Sequence, residues 1–311
     1  MGVDYNAAKL LLWAKKLGAS FERTLTLGHQ GFDCSAQQLR EAVRDFGLPG
    51  SRKEIELCLE RPPMGPVVAD GFFRFLGAKE VVSVDKSDFE GATLLHDLNE
   101  PFAENLRGRF TFVYDGGTLE HIFNYPAALQ NCLELLAPGG HFLTITPAHS
   151  FMGHGFYQIS PELFFRVFSA ENGFALRKIV LYEAAKPDAA FFQVNDPAAT
   201  GHRTDLVSKE PMLLAALARR TAETPILGRP PQQSGYTACW EKHRQAATNP
   251  GADQLDLLWR IRVALSPYWP RWLRRWKEKL FYKFRVSGGS AKLSNRTHFR
   301  RLSREEIFRG D

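Results

Sequence analysis

Four short apolar runs between residues 80 and 147 follow one pattern. Val81 to Val84 stops at Asp85, Ala92 to Leu95 gives way to Asp97, Phe110 to Tyr114 stops at Asp115, and His141 to Ile145 runs into Thr146-Pro147. Helical segments separate them, the clearest being Tyr125 to Leu136, which ends in Pro138-Gly139-Gly140. Continuous apolar runs that alternate with helices are strands buried on both faces, and such strands build a largely parallel sheet. In open α/β sheets, ligands bind outside the carboxyl ends of the strands. Acids at three successive strand ends are therefore the strongest functional signal in the chain.

The flanking segments extend this reading. Asn6 to Leu17 has apolar residues at helical spacing and stops at Gly18, which predicts an N-terminal packing or lid helix. Thr24 to Leu27, the turn Gly28-His29-Gln30-Gly31 and the helical stretch Ala36 to Phe46 form a strand, glycine turn and helix. Residues 47 to 66 read as a connection carrying one short helix, Arg52 to Leu59, and Ala69 to Leu76 as a further helix. A helix at Pro161 to Ser169 and strands at Leu176 to Tyr182 and Pro211 to Ala218 complete the body, and residues 221 to 254 read as a loop or linker. The expected division is an N-terminal helix (1–20), an α/β domain (21–220), and a linker with a basic, Trp-rich extension (221–311).

Charge sharpens that division. The 311-residue chain has a formal net charge of +6, but Trp240 to Asp311 holds 17 Lys and Arg against 7 Asp and Glu. That segment is +10 and the body −4, so charge arguments about anionic partners apply to the tail alone. Leu255 to Arg285 carries four Trp among Arg and Lys, a composition suited to an anionic membrane surface or to packing on the body. Nucleic acid is not expected as a partner. No run approaches the roughly 18 apolar residues of a spanning helix, and the N-terminus reads as a helix rather than a signal peptide. The expectation is a cytoplasmic protein, at most peripheral to the membrane. Cys34, Cys58, Cys132 and Cys239 are scattered with no CxxC pair, which predicts reduced thiols and no zinc site.

At the sheet edge, an acid at Asp85 can accept from two ribose hydroxyls, and Asp97 can accept from an adenine amino group while Leu98 offers its N–H. Asp115-Gly116-Gly117 supplies the third strand end. Val113-Tyr-Asp-Gly-Gly-Thr-Leu-Glu-His-Ile122, the Leu136-Ala-Pro-Gly-Gly-His-Phe-Leu143 turn, Thr146-Pro147 and Ser160-Pro161-Glu-Leu163 together resemble class I S-adenosylmethionine-dependent methyltransferases, in particular their small-molecule group. The resemblance spans roughly residues 20 to 183. It implies a doubly wound, mostly parallel, seven-stranded Rossmann-like sheet whose last strand is antiparallel, and S-adenosylmethionine as cofactor. It places that cofactor on Gly28, His29, Gly31, Asp85, Lys86, Asp97, Leu98, Asp115, Gly116 and Gly117, and it nominates His121 as the catalytic base.

The sequence departs from the family at the first glycine motif, where Gly28-His29-Gln30-Gly31 stands for a Gly-x-Gly-x-Gly turn, and in the longer stretch before Asp85. Thr146 to Gln158 suits a loop over a substrate, with His149 and His154 as alternative bases and Phe151 and Tyr157 as acceptor contacts. No metal is expected, because no carboxylate stands at useful spacing from the histidine pair in that loop. The activity implied is methyl transfer to a hydroxyl or amine of a small-molecule or glycan-type acceptor. The competing readings are a catalytically silent binding module of the same fold and a nicotinamide-dependent oxidoreductase.

Overall fold

A computed structural model describes residues 2–61, 65–248, 270, 272–273, 275–276, 279 and 291–309. Most of the basic segment 255–285 therefore lies outside the described residues. Two compact units are formed: residues 1–194, 208–231 and 301–311, and residues 195–207 and 232–300. Among the described residues no helix is long and apolar enough to cross a membrane.

The first unit begins with β1 (Val3–Asp4), α1 (Tyr5–Lys16), β2 (Arg23–Leu27), β3 (Phe32–Asp33), α2 (Ala36–Asp45), α3 (Arg52–Leu57) and α4 (Asp70–Phe75). It continues with β4 (Glu80–Asp85), β5 (Leu94–Leu95), β6 (Phe110–Asp115), α5 (Tyr125–Glu134), β7 (Leu136–His149), α6 (Pro161–Val167), β8 (Phe174–Glu183) and β9 (Phe192–Val194). The second unit holds α7 (Pro197–Thr200), β10 (Met212–Arg220) returns to the first, α8 (Ser234–Thr248) lies in the second, and β11 (Phe299–Arg301) runs across the boundary.

The nominated N-terminal helix is part of the core rather than a separate element. The Asp4 side chain caps it by accepting from Ala7 N–H at 2.8 Å, and every residue from Asn6 to Ala14 is buried. Asn6 secures it at both ends of its amide, donating to Lys186 O at 2.7 Å and accepting from Ala189 N–H at 3.0 Å. The sheet order is β11-β9-β8-β10-β7-β6-β2-β4-β5, so the sheet has nine strands where seven were expected, with β9 and β11 added at one edge. β5, β4, β2, β6 and β7 run parallel, and β10 is antiparallel to both β7 and β8. That antiparallel insertion, set between the fifth parallel strand and β8, separates this sheet from the all-parallel dinucleotide-binding order 3-2-1-4-5-6. The fold is thus a doubly wound, mostly parallel α/β sheet of the Rossmann-like methyltransferase type.

The two Thr residues of β2, buried at the sheet centre, are satisfied locally. Thr24 Oγ1 donates to Phe21 O at 2.7 Å and Thr26 Oγ1 to Gly28 O at 2.9 Å, as buried polar groups require.

Two local expectations are corrected. The Pro138-Gly139-Gly140 turn does not stop the chain before a strand; β7 starts at Leu136 and passes through it, with a register shift against β6 between Phe110 and Phe112. A Cβ on Gly140 would lie 2.8 Å from Ala137 O and 3.1 Å from Phe110 O, so the glycines let the strand bulge where a side chain would not fit. Likewise 234–248, read as linker, is the helix α8: no glycine or proline interrupts Tyr236 to Asn249, and Tyr236 stacks on Trp240 one turn later at 6.0 Å.

Candidate functional site

The chain steps outward from β2 to β4 and β5, then crosses to build β6 and β7 on the other side of β2. The crevice beyond the carboxyl ends of β2 and β6 is therefore the topological switch point, where this architecture leaves room for a ligand. A cleft of about 930 Å³ occupies that place, lined by the Gly28 to Gly31 turn, Asp85, Gly117 and Thr118. A smaller cavity of about 260 Å³ continues past Asp85 to Asp97, Leu98, Thr118 and His121. A second large cleft of about 840 Å³ shares the rim Gly31, Gly65 and Pro66 and reaches Asp4, Ile145 and Phe151. Residues 65 to 68, beyond the longer connection, thus form a wall common to both: Phe32 N–H bonds Val67 O at 2.8 Å and Ala69 N–H bonds Gln30 O at 2.9 Å.

The irregular glycine turn is built around Gln30. Gly28 adopts φ +77°, and its N–H donates to Val84 O at 2.7 Å. Gln30 Nε2 donates to Leu27 O, to which Thr118 Oγ1 also donates at 2.8 Å, so the ends of β2 and β6 are tied at one carbonyl. Gln30 Oε1 is buried with no hydrogen-bond partner. A Cβ on Gly116 would lie 2.5 Å from that oxygen, which accounts for glycine there. His29 is a strut: its Nδ1 meets Glu90 O at 2.7 Å, and its Nε2 lies 3.7 Å from Asp70.

The three strand-end acids differ in their surroundings. Asp85 lines the cleft, and the one hydrogen bond of its carboxylate within the described residues is a long one, from Ser87 N–H at 3.4 Å. Asp97 accepts from Asn99 N–H at 3.0 Å and Asn99 Nδ2 at 2.7 Å and meets Lys86 Nζ at 2.9 Å. These Asn99 and Lys86 contacts hold its carboxyl well below the usual range. Asp115 is fully buried and faces its own turn, accepting from Thr118 N–H at 2.9 Å, Leu119 N–H at 3.3 Å and Thr144 Oγ1 at 2.7 Å.

Of the nominated bases, His149 lies at the end of β7 with Nε2 3.2 Å from both the N–H and the carbonyl of Ser208. His121 and His154 come together, their rings 4.9 Å apart. Between them stands a residue that spacing did not single out: Glu120, whose side chain is wholly buried and whose carboxylate oxygens both lack a hydrogen bond. Glu120 Oε1 lies 3.5 Å from His154 Nε2 and 4.0 Å from His121 Nε2. Burial, followed by the nearby charge of Asp115, pushes the Glu120 carboxyl up to about 8. Burial, then His154, lowers the His121 imidazole, which favours its neutral form. The quoted Leu119-Glu120-His121 triplet contained the signal; the partner 34 residues on became visible only in three dimensions.

Backbone bonds dock the histidine loop onto this acid. Phe156 N–H donates to Glu120 O at 2.8 Å, Tyr157 N–H to the same atom at 3.3 Å, and Tyr157 hydroxyl to Phe123 O at 2.6 Å. Phe151 packs edge-on against His154 at 5.5 Å and lines the second cleft. Gly155 allows the approach: at φ +69° its Cβ would lie 2.8 Å from Glu120 O, whereas Gly153, at φ +88°, has nothing within 4 Å. Gly153→Ala should therefore cost only the left-handed strain of about 1–2 kcal/mol. Gly155→Ala should exceed it by roughly 1 kcal/mol or more and speed proteolysis within 150–158. Equal urea midpoints for the two variants would show that the close approach has no energetic weight.

No protein-family model matches the chain, and no curated protein matches it significantly. Solved structures are similar to it at low identity and low TM-score. A methyltransferase-designated protein from Bacillus halodurans is 11% identical with a TM-score of 0.37, covering 71% of this chain and 100% of that one. The 1,6-didemethyltoxoflavin-N1-methyltransferase of Burkholderia thailandensis, with its substrate and S-adenosylhomocysteine bound, is 16% identical at a TM-score of 0.37, covering 70% and 78%. The cyclase SpnF is 12% identical at a TM-score of 0.36, covering 70% and 81%. The fold assignment above rests on strand order and direction, not on these likenesses.

Proposed function

We propose that this protein is an S-adenosylmethionine-dependent methyltransferase acting on a hydroxyl or amine of a small-molecule or glycan-type acceptor. The observation that carries the reading is the meeting, at one switch-point cleft, of two positive-φ glycines (Gly28, Gly117) and an acid, Asp85, with little internal bonding.

The residues present fit the cofactor. Asp85 would hold the ribose hydroxyls, and the cavity between Asp97, Leu98 and Thr118 would take the adenine. Gly28 and Gly117 would let backbone approach the methionine portion, whose ammonium could satisfy the unmatched Gln30 Oε1. S-adenosylmethionine supplies a methyl group on a sulfonium. The chain's part is to align that methyl with an acceptor entering from the 840 Å³ cleft, since holding the partners in line is worth roughly 7–11 kcal/mol of barrier. An acceptor hydroxyl or amine would give up a proton as it is methylated. His121 lines the cavity past Thr118, and His154 lies beside it with the rings 4.9 Å apart, so His121 is the base placed to take that proton.

Calorimetry with S-adenosylhomocysteine and with NAD tests the donor. Micromolar binding of the first and none of the second is expected; the reverse would sink the reading, and binding of neither would favour a silent module. A radiolabelled methyl-transfer screen over sugar nucleotides, lipid-linked glycans and tRNA then tests the acceptor.

A further inference from the structure

We propose that Glu120, His121 and His154 form a binding site for one divalent transition-metal cation of the borderline class, such as Zn²⁺ or Co²⁺, beside the donor cleft. The binding stands on the geometry alone; its role in catalysis rests on the methyl-transfer reading.

Each of the three residues offers one ligand atom, and these atoms all lie within 4.8 Å of one another. At metal–ligand distances near 2.1 Å, neighbouring ligand atoms of a tetrahedral or octahedral shell stand about 3.0–3.5 Å apart. The carboxylate oxygen already stands 3.5 Å from one imidazole nitrogen and 4.0 Å from the other. Small rotations of the two half-exposed rings close the remainder.

The alternative is a carboxylate that orients an imidazole base. That arrangement needs a hydrogen bond of about 2.6–3.2 Å, and neither imidazole makes one to Glu120. Instead both carboxylate oxygens and His154 Nε2 are buried without a hydrogen bond. Buried polar groups are hydrogen-bonded or bound to metal, and a cation would satisfy these atoms together. The surrounding structure also fixes them. Glu120 O is held by two loop N–H groups, and Gly155 brings His154 over the acid.

Two imidazoles and one carboxylate select Zn²⁺, Co²⁺, Ni²⁺ or Fe²⁺ over the harder Mg²⁺ and Ca²⁺. Three protein ligands leave positions open, as catalytic metal sites do. An acceptor oxygen bound there would be acidified, losing its proton to water while its lone pair attacks the methyl carbon and the carbon–sulfur pair leaves with sulfur.

The test uses the full chain, stripped with chelator and titrated with Co²⁺. One equivalent should bind with visible d–d absorption. Binding should weaken more than about tenfold, the least that even an outer-shell change costs, in His121→Ala/His154→Ala and in the isosteric Glu120→Gln, but not in His149→Ala. Glu120→Gln keeps the proposal testable if the double variant does not fold. No uptake by the parent chain, or undiminished uptake in folded Glu120→Gln, would overturn the site. S-adenosylhomocysteine calorimetry on the same metal-free protein reads the donor cleft separately, so failure of either reading is told apart from failure of the other.

Discussion

Replacing Asp85 with alanine should weaken S-adenosylhomocysteine binding roughly 10- to 100-fold, the equivalent of losing hydrogen bonds to a charged acceptor worth about 1.5–3 kcal/mol. Stability should hardly move, because the carboxylate makes one long bond, to Ser87 N–H at 3.4 Å, within the described residues. The contrast is Asp115→Ala. It strips the buried acceptor from Thr118 N–H, Leu119 N–H and Thr144 Oγ1 together. Unsatisfied buried donors cost about 1–3 kcal/mol each before relaxation, so this variant should lose several kcal/mol in urea unfolding. Its donor affinity should fall only to the extent that the 115–119 turn deforms. A pair of calorimetric and unfolding measurements on the two variants gives opposite patterns if the assignment is right. Loss of stability without loss of affinity in Asp85→Ala would remove Asp85 from the cofactor.

The contrast also marks what was legible in the sequence. Strand positions and their largely parallel arrangement follow from apolar run length and the helices between, because a continuous apolar run has few places to go but a sheet covered on both faces; the antiparallel return of Met212 to Arg220 is implied only by the family resemblance. The direction in which each strand-end carboxylate points was not legible. Asp85, Asp97 and Asp115 look equivalent along the chain, but turn geometry after each strand decides whether the acid meets the cleft, Lys86 and Asn99, or its own backbone. Glu120 was hidden for a related reason. It sits beside a nominated histidine, yet its significance depends on burial and on His154, brought over it by a glycine whose sequence neighbourhood reads as an ordinary loop. Gln30 reversed its apparent meaning: it interrupts the expected glycine pattern, and it is also the amide that ties the β2 carbonyl and excludes any side chain at position 116.

His141 should make the fold acid-sensitive well above the pH at which carboxylates titrate. It lies buried in β7, and its Nδ1 has no hydrogen-bond partner. Burial, reinforced by the Arg219 guanidinium on β10 and the Arg177 guanidinium on β8, lowers its imidazole to about 4. A folded-state value below the ordinary 6.5 means that the unfolded chain binds the proton more readily. Stability is therefore fully present above about pH 6.5 and is lost as pH falls toward 4. Linkage over that interval amounts to about 2 kcal/mol between pH 7.5 and 5, and about 3 kcal/mol by pH 4. Glu120, raised to about 8, contributes the opposite slope in metal-free protein, so the readout must be a difference between chains. His141→Leu keeps an apolar side chain at the site and removes the titration. Its urea-unfolding free energy should lose about 2 kcal/mol less than the parent's between pH 7.5 and 5. Parallel pH profiles for the two proteins would show that the strand accommodates the imidazolium, through water or by local opening of β7, and that acid sensitivity originates elsewhere.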